Sequence, residues 1–268
     1  MNNHIPSIIA IILYLFSGGL VAARLFGHGS VSHTRKSAII VIGTLALFLH
    51  GHVLYQGIFG PGGLNLGIFN AFSLVCWLII LMLILTALRK PIENLGIALF
   101  PLAAFAIILE ISLPSNRIIN STGTWQLQAH IMFSFVAYSL FTIAMVQAIV
   151  LYIQDKHLRN HQPGGFIRSL PPLQSMEYLL FQIIAVGYAL LSIGLITGGL
   201  FLENIFTKHL THKTILSIIA WGIFSILLWG RFRYGWRGRK AIRWTLGGFI
   251  SLMLAYFGSK LVLELVLA

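Results

Sequence analysis

Long apolar runs alternate with short polar connections along the whole chain. Eight runs are long enough to cross a hydrocarbon core of ~30 Å, which takes ~20 predominantly apolar residues at the rise of an α-helix. They cover roughly Pro6 to Phe26, Ser37 to Gln56, Leu66 to Leu88, Leu95 to Leu113, Gln126 to Tyr152, Met176 to Phe201, Thr214 to Gly230 and Trp244 to Leu267. Lipid offers backbone groups no partners, so runs of this length predict helices that satisfy their own hydrogen bonds. The expected fold is all-α, a polytopic membrane helical bundle of about eight transmembrane helices. The longest polar connection, Asp155 to Ser175, is too short to bury a core of its own. Its Gln162-Pro163-Gly164-Gly165 and Pro171-Pro172 mark it as a loop. Residues 1–268 are therefore expected to form a single integral-membrane domain.

Charge orients this bundle. The odd connections hold Arg24, Arg35 and Lys36, then Arg89 and Lys90, then Lys156, Arg159 and Arg168, and finally Arg231, Arg233, Arg237, Arg239, Lys240 and Arg243. The even connections and the last span hold only Arg117, Lys208, Lys213 and Lys260. By the positive-inside rule the odd connections are cytoplasmic and both termini lie outside. The first run, preceded by no Lys or Arg, is expected to be a retained helix, since a cleavable signal carries a basic start. A net charge of +12 thus reports topology. The basic residues are dispersed among membrane loops, which excludes nucleic acid as a partner and points to anionic lipid at the seventh connection. Composition agrees: 57% hydrophobic, 9% charged, mean hydropathy +0.89.

Candidate chemistry rests on histidine. Of the ten, His28, His33, His157 and His161 fall in basic connections, His4 at the outer terminus, and His209 at an interface. His50 and His52 lie inside the second span, where ionisable groups usually face a bundle interior. Two residues apart on a helix means ~200° apart in direction, so only one points inward. His50 shares its face with Gly43, Ala46 and Leu54 and is the expected inward member; His52 shares its face with Phe48, Tyr55 and Gln56. His130 continues through Ser134, Ala137, Tyr138 and Ala144, a small and weakly polar face suited to helix packing. His212 precedes the seventh span on the outer side. These three imidazoles suit haem iron or a metal ion; hydrogen bonding to a neighbouring helix, or capping, is the plainer role for each.

Other residues fit structural roles. Trp77, Trp125, Trp221, Trp229, Trp236 and Trp244 suit an interfacial belt, and Gly194 with Gly198 forms a GxxxG packing motif. Glu110 and Glu264 are expected to anchor span ends, with Lys260 as a partner within reach, and Glu177 marks the entrance to the sixth span. Cys76 is a single thiol, so an internal disulfide, a CxxC redox pair and covalent haem attachment are all excluded. Asn120-Ser121-Thr122 matches a glycosylation sequon.

Two stretches carry a family resemblance. Trp125 through HIMFSFVAYSLFTIAMVQAIVLYIQ resembles the histidine-bearing helix of cytochrome c assembly proteins of the CcsA/CcmC haem-handling type. His212-Lys213-Thr214 and the residues after it, with their Gly235-Trp236-Arg237-Gly238, resemble the segment on the C-terminal side of the tryptophan-rich haem motif in that family. The chain looks most like the short YpjD/HemX-like branch. The resemblance implies a haem-binding protein of the bacterial inner membrane associated with cytochrome c assembly, with His130 matching the outer histidine and His50 the intramembrane one. Haem iron would then be held by His50 and His130, with His212 standing in for a missing ligand. Two features of the family are absent: LENIFTKHLTHKT holds no tryptophan or aspartate, and GSKLVLELVLA holds no histidine.

Haem handling is the leading expectation, with haem, the lipid bilayer and proteins of cytochrome c biogenesis or haem biosynthesis as partners. The alternatives are a regulator or scaffold of haem biosynthesis, acting through RFRYGWRGRK, and a small-molecule transporter, although Pro101 alone interrupts a span. The six scattered acidic residues and the lack of a phosphate-binding loop argue against an enzyme.

Overall fold

The computed structural model describes residues 4–27, 36–60, 63–113, 118–119, 125–161, 164–201 and 211–258. His28, His33, Arg35, Arg117, the sequon at 120–122, Lys208, His209, Lys260 and Glu264 lie outside them. Eight helices are present among the described residues: α1 (His4–Phe26), α2 (Lys36–Ile58), α3 (Ile68–Ala87), α4 (Gly96–Ser112), α5 (Trp125–Arg159), α6 (Leu173–Phe201), α7 (Thr211–Tyr234) and α8 (Gly238–Met253). Each, α4 and α8 with the short turns adjoining them, is long and apolar enough to cross a membrane. The chain is a multi-pass bundle of eight spans, as the apolar runs predict. In the even connections three short antiparallel strands add a small sheet: β1 (Phe59–Gly60), β2 (Gly63–Asn65) and β3 (Ile118–Ile119).

Boundaries depart from the apolar runs where helices leave the lipid. α5 continues to Arg159 through a polar last stretch, GlnAspLysHisLeuArg, that carries no hydropathy signal. α8 begins at Gly238, ahead of Trp244, with a basic first turn. α4 runs unbroken through Pro101, contrary to the interruption expected there. Gly18 of α1 lies so close that an added Cβ would sit 3.3 Å from the proline ring, so the neighbouring helix packs onto it.

The chain divides into two compact units. In the first, α1 packs on α2 and α4, while α3 packs on α2 and α4, closing a four-helix ring. Its centre is Phe100, which stacks on Tyr14 at 6.1 Å and fills the space left by Gly43, where a Cβ would meet the ring at 3.0 Å. One end is tied by Glu93, in the turn Glu93–Leu95, which pairs with Arg24 and with Lys36, each at 3.2 Å. In the second unit α5 packs on α6 and α8, and α7 on α6 and α8, closing another ring. Phe141 and Phe224 stack there at 4.0 Å, both fully buried. At one end Glu177 pairs with Arg231 at 3.0 Å, and Asp155 with Arg159 at 3.0 Å.

Candidate functional site

His50 belongs to the first unit and His130 and His212 to the second. His50 is the inward member of its pair, with no exposed surface, while His52 is exposed and bonds Gln56 at 3.0 Å one turn along the same helix. Polarity around His50 follows from donor bookkeeping. Ser73 donates its hydroxyl proton to Oε2 of Glu110, so its oxygen accepts from His50 Nε2 at 2.9 Å. That fixes the proton on Nε2 and leaves Nδ1 to accept from the Tyr14 hydroxyl at 3.2 Å. A one-way chain thus runs from α1 through α2 and α3 to α4, and all four side chains are buried.

Glu110 is therefore no span-end anchor. It is buried at 9% exposure, and Gly57 leaves the room its other oxygen needs, since a Cβ there would stand 2.8 Å from Oε1. The sequence places Glu110 near the end of an apolar run but cannot show that a serine from another helix reaches it. Trp77 also departs from the interfacial belt. It lies mid-way along α3 and donates to the Leu47 carbonyl at 2.9 Å, over Gly51.

His130 is built differently. It lies in the second turn of α5, partly exposed, with Nδ1 at 2.8 Å from the Gly194 carbonyl of α6. A carbonyl only accepts, so the proton sits on Nδ1 and the lone pair on Nε2. Among the described residues Nε2 has no hydrogen-bond partner. The ring occupies a notch over Gly198, where a Cβ would come within 2.9 Å of Cε1 and 3.2 Å of Nδ1. Gly194 likewise admits Ser134, one turn further along α5, at 3.3 Å from a would-be Cβ. The GxxxG motif of α6 is thus the seat of the histidine face of α5. Thr197 Oγ1 closes the notch at 3.4 Å from Nδ1 while donating to the Ile193 carbonyl.

His212 stands exposed in the first turn of α7. Among the other described histidines, His4 and His161 are exposed, and His157 bonds the carbonyl of Ile153. Among the described residues no group of three or more His, Cys, Asp or Glu is arranged to hold a metal ion.

An axial ligand to haem iron needs one nitrogen with a free lone pair, while its other N–H is held by an acceptor that sets the ring's orientation. His130 meets both conditions. His50 has both nitrogens engaged and would have to give up Tyr14 to bind iron. Sequence spacing singled out both residues, but depth in a helix does not reveal which ring nitrogen a neighbouring helix will occupy.

The family model described as Cytochrome C assembly protein matches residues 38–267. The chain is 34% identical over 234 residues to the inner membrane protein YpjD of Escherichia coli (strain K12), covering 86% of each. It is 26% identical over 196 residues to the cytochrome c biogenesis protein CcsA of Prochlorococcus marinus (strain MIT 9515), covering 65% of this chain and 62% of that one. It is 22% identical over 157 residues to protein HemX of Brevibacillus brevis, covering 57% and 58%. No solved structure matches.

Proposed function

The chain belongs to the cytochrome c assembly protein family, and from that premise we propose that it is an inner-membrane haem-handling protein whose His130 offers Nε2 to haem iron. The observation that carries this reading is the seat of His130. Its Nδ1–H is spent on the Gly194 carbonyl and its ring is held over Gly198, which leaves Nε2 as a basic nitrogen of defined direction. The relatives named for cytochrome c biogenesis support haem as the ligand. His212, exposed at the start of α7 in the same unit, offers a further imidazole to iron. His50 serves the reading as a structural residue, joining four helices through Tyr14, Ser73 and Glu110. The same premise supplies the partners: haem, and proteins of cytochrome c biogenesis or haem biosynthesis that deliver or take it.

Haem titration of the detergent-purified protein tests this. A Soret band is expected that is lost in His130→Ala, weakened in His212→Ala and retained in His50→Leu wherever that variant folds. A wild-type protein that forms no Soret band, or a His130→Ala spectrum identical to wild type, overturns the assignment.

A further inference from the structure

The corner joining α7 to α8 holds more uncompensated positive charge than any other described part of the chain. Arg233, Arg237, Arg239, Lys240 and Arg243 are all exposed there, and none has an acidic partner among the described residues. Elsewhere at the basic ends the described acidic groups are already engaged: Glu93 with Arg24 and Lys36, Asp155 with Arg159, Glu177 with Arg231. Positive-inside bias alone accounts for basic residues here. It does not account for how the corner is built.

The turn is held in one conformation. Gly235 and Gly238 take φ values of +63° and +55°, which side-chain-bearing residues rarely adopt. Gly235 N–H donates to the Arg231 carbonyl and Trp236 N–H to the Gly230 carbonyl, both at 3.1 Å. The Trp236 indole folds back onto Gly230, where any Cβ would collide with it. Arg231 then clamps the turn from inside, bonding the Trp236 carbonyl at 3.1 Å and Glu177 at 3.0 Å while lying 4.6 Å above the Phe181 ring. Lys240 sits 4.0 Å over the Trp236 ring, and Trp244 approaches that ring at 5.6 Å. The cations are thus presented by an ordered turn instead of a floppy loop. Around them Trp229, Phe232 and Tyr234 are 64%, 90% and 69% exposed, the aromatic signature of headgroup depth.

We propose that this corner is a binding site for the phosphodiester headgroup of an anionic phospholipid in the cytoplasmic leaflet. The arginines supply planar donor forks for phosphate oxygens, and the flanking aromatic rings lie along the acyl and glycerol region. Partners for the charge come from the lipid, since the described residues provide none here.

Retention of phosphatidylglycerol against phosphatidylcholine by the full-length protein, read by native mass spectrometry from mixed micelles, tests the assignment. Wild type is expected to prefer phosphatidylglycerol. At roughly fivefold per cation near an anionic surface, Arg237→Gln/Arg239→Gln/Arg243→Gln should lower that preference by about 100-fold. Trp236→Leu keeps every charge but loosens the turn, and should lower it by a smaller factor. Arg89→Gln/Lys90→Gln, neutralising another basic connection, should leave it intact; thermal unfolding of each variant checks that it is folded. An unchanged preference in the triple variant overturns the proposal. So does an equal loss in the Arg89/Lys90 variant, which would reduce the effect to general surface charge. Loss of a bound protein in the triple variant with lipid preference unchanged would reassign the corner to a protein partner and overturn it as well.

Discussion

Replacing Ser73 by alanine removes one hydroxyl and strands two groups. His50 Nε2–H loses its acceptor and Glu110 Oε2 its donor, both inside the first unit, where Ser73 itself has no exposed surface. Orphaned groups in a water-soluble core cost about 1–3 kcal/mol each. A membrane bundle obeys a gentler scale, because inserted but unpacked helices still find partners: about 0.6 kcal/mol per interhelical bond on average and about 1.7 at most. Two bonds on that scale predict a loss of about 1–3 kcal/mol. Thr245→Val is the matched control. Thr245 is equally buried, yet its hydroxyl only doubles a bond to Ala241 in its own helix at 2.9 Å, so its loss should cost less than about 0.5 kcal/mol. The assay is unfolding from mild detergent by titrated dodecyl sulfate, monitored by circular dichroism. Ser73→Ala should unfold well before wild type and Thr245→Val alongside it. If both variants unfold together, the four-residue chain does not hold the unit, and the structural role given to His50 fails. Where Ser73→Ala folds, its haem spectrum should match wild type.

Single contacts give further expected outcomes. Gly198→Val keeps His130 but pushes its ring off the Gly194 carbonyl, and a tenfold to 100-fold loss in haem affinity by Soret titration is expected, in line with loss of an orienting partner. Glu93→Gln leaves Arg24 and Lys36 without their counter-charge; since both are about one-third exposed, solvent screening limits the cost to about 1–2 kcal/mol in the same unfolding assay. Gly248→Val places methyl groups against the buried Phe224 ring, 2.7 Å from a would-be Cβ, and overpacking of about 1–3 kcal/mol should show as a lower unfolding midpoint. His52→Ala, on the exposed face of α2, should leave both stability and haem spectrum at wild-type values.

Hydrophobic run length made the eight spans legible, because a helix in lipid needs little beyond apolar length. The inward direction of His50 was legible for a related reason: Gly43 and Ala46 on its face permit close approach, and 3.6-residue periodicity excludes His52 from the same side. Ends of helices were less legible. The last turns of α5 and the first of α8 are polar, so hydropathy is silent there; what the structure adds is the Asp155–Arg159 pair one turn apart and the burial of Ala241 and Ile242. The roles of Glu110 and Trp77 were hidden because their partners, Ser73 and Leu47, come from other helices, and inter-helix register leaves no trace in spacing along one helix. The two ring nitrogens of His130 are the sharpest case. Their roles are decided by one backbone carbonyl 64 residues away, which only tertiary structure supplies.

Three glycines of α2 each admit a different intruder: Gly43 the Phe100 ring, Gly51 the Trp77 indole and Gly57 the Glu110 carboxylate. They are spaced by eight and then six residues, about 12 and 9 Å along the axis. Unequal intervals make the helix a key with three cuts that fits its lock at a single depth. A piston stroke of even one turn, about 5.4 Å, would drive side chains into all three intruders at once. Motion in this unit is thereby confined to tilting or to movement of the four helices as one piece. Alanine or valine, innocuous on the lipid-facing sides of α2, should jam it at these three positions.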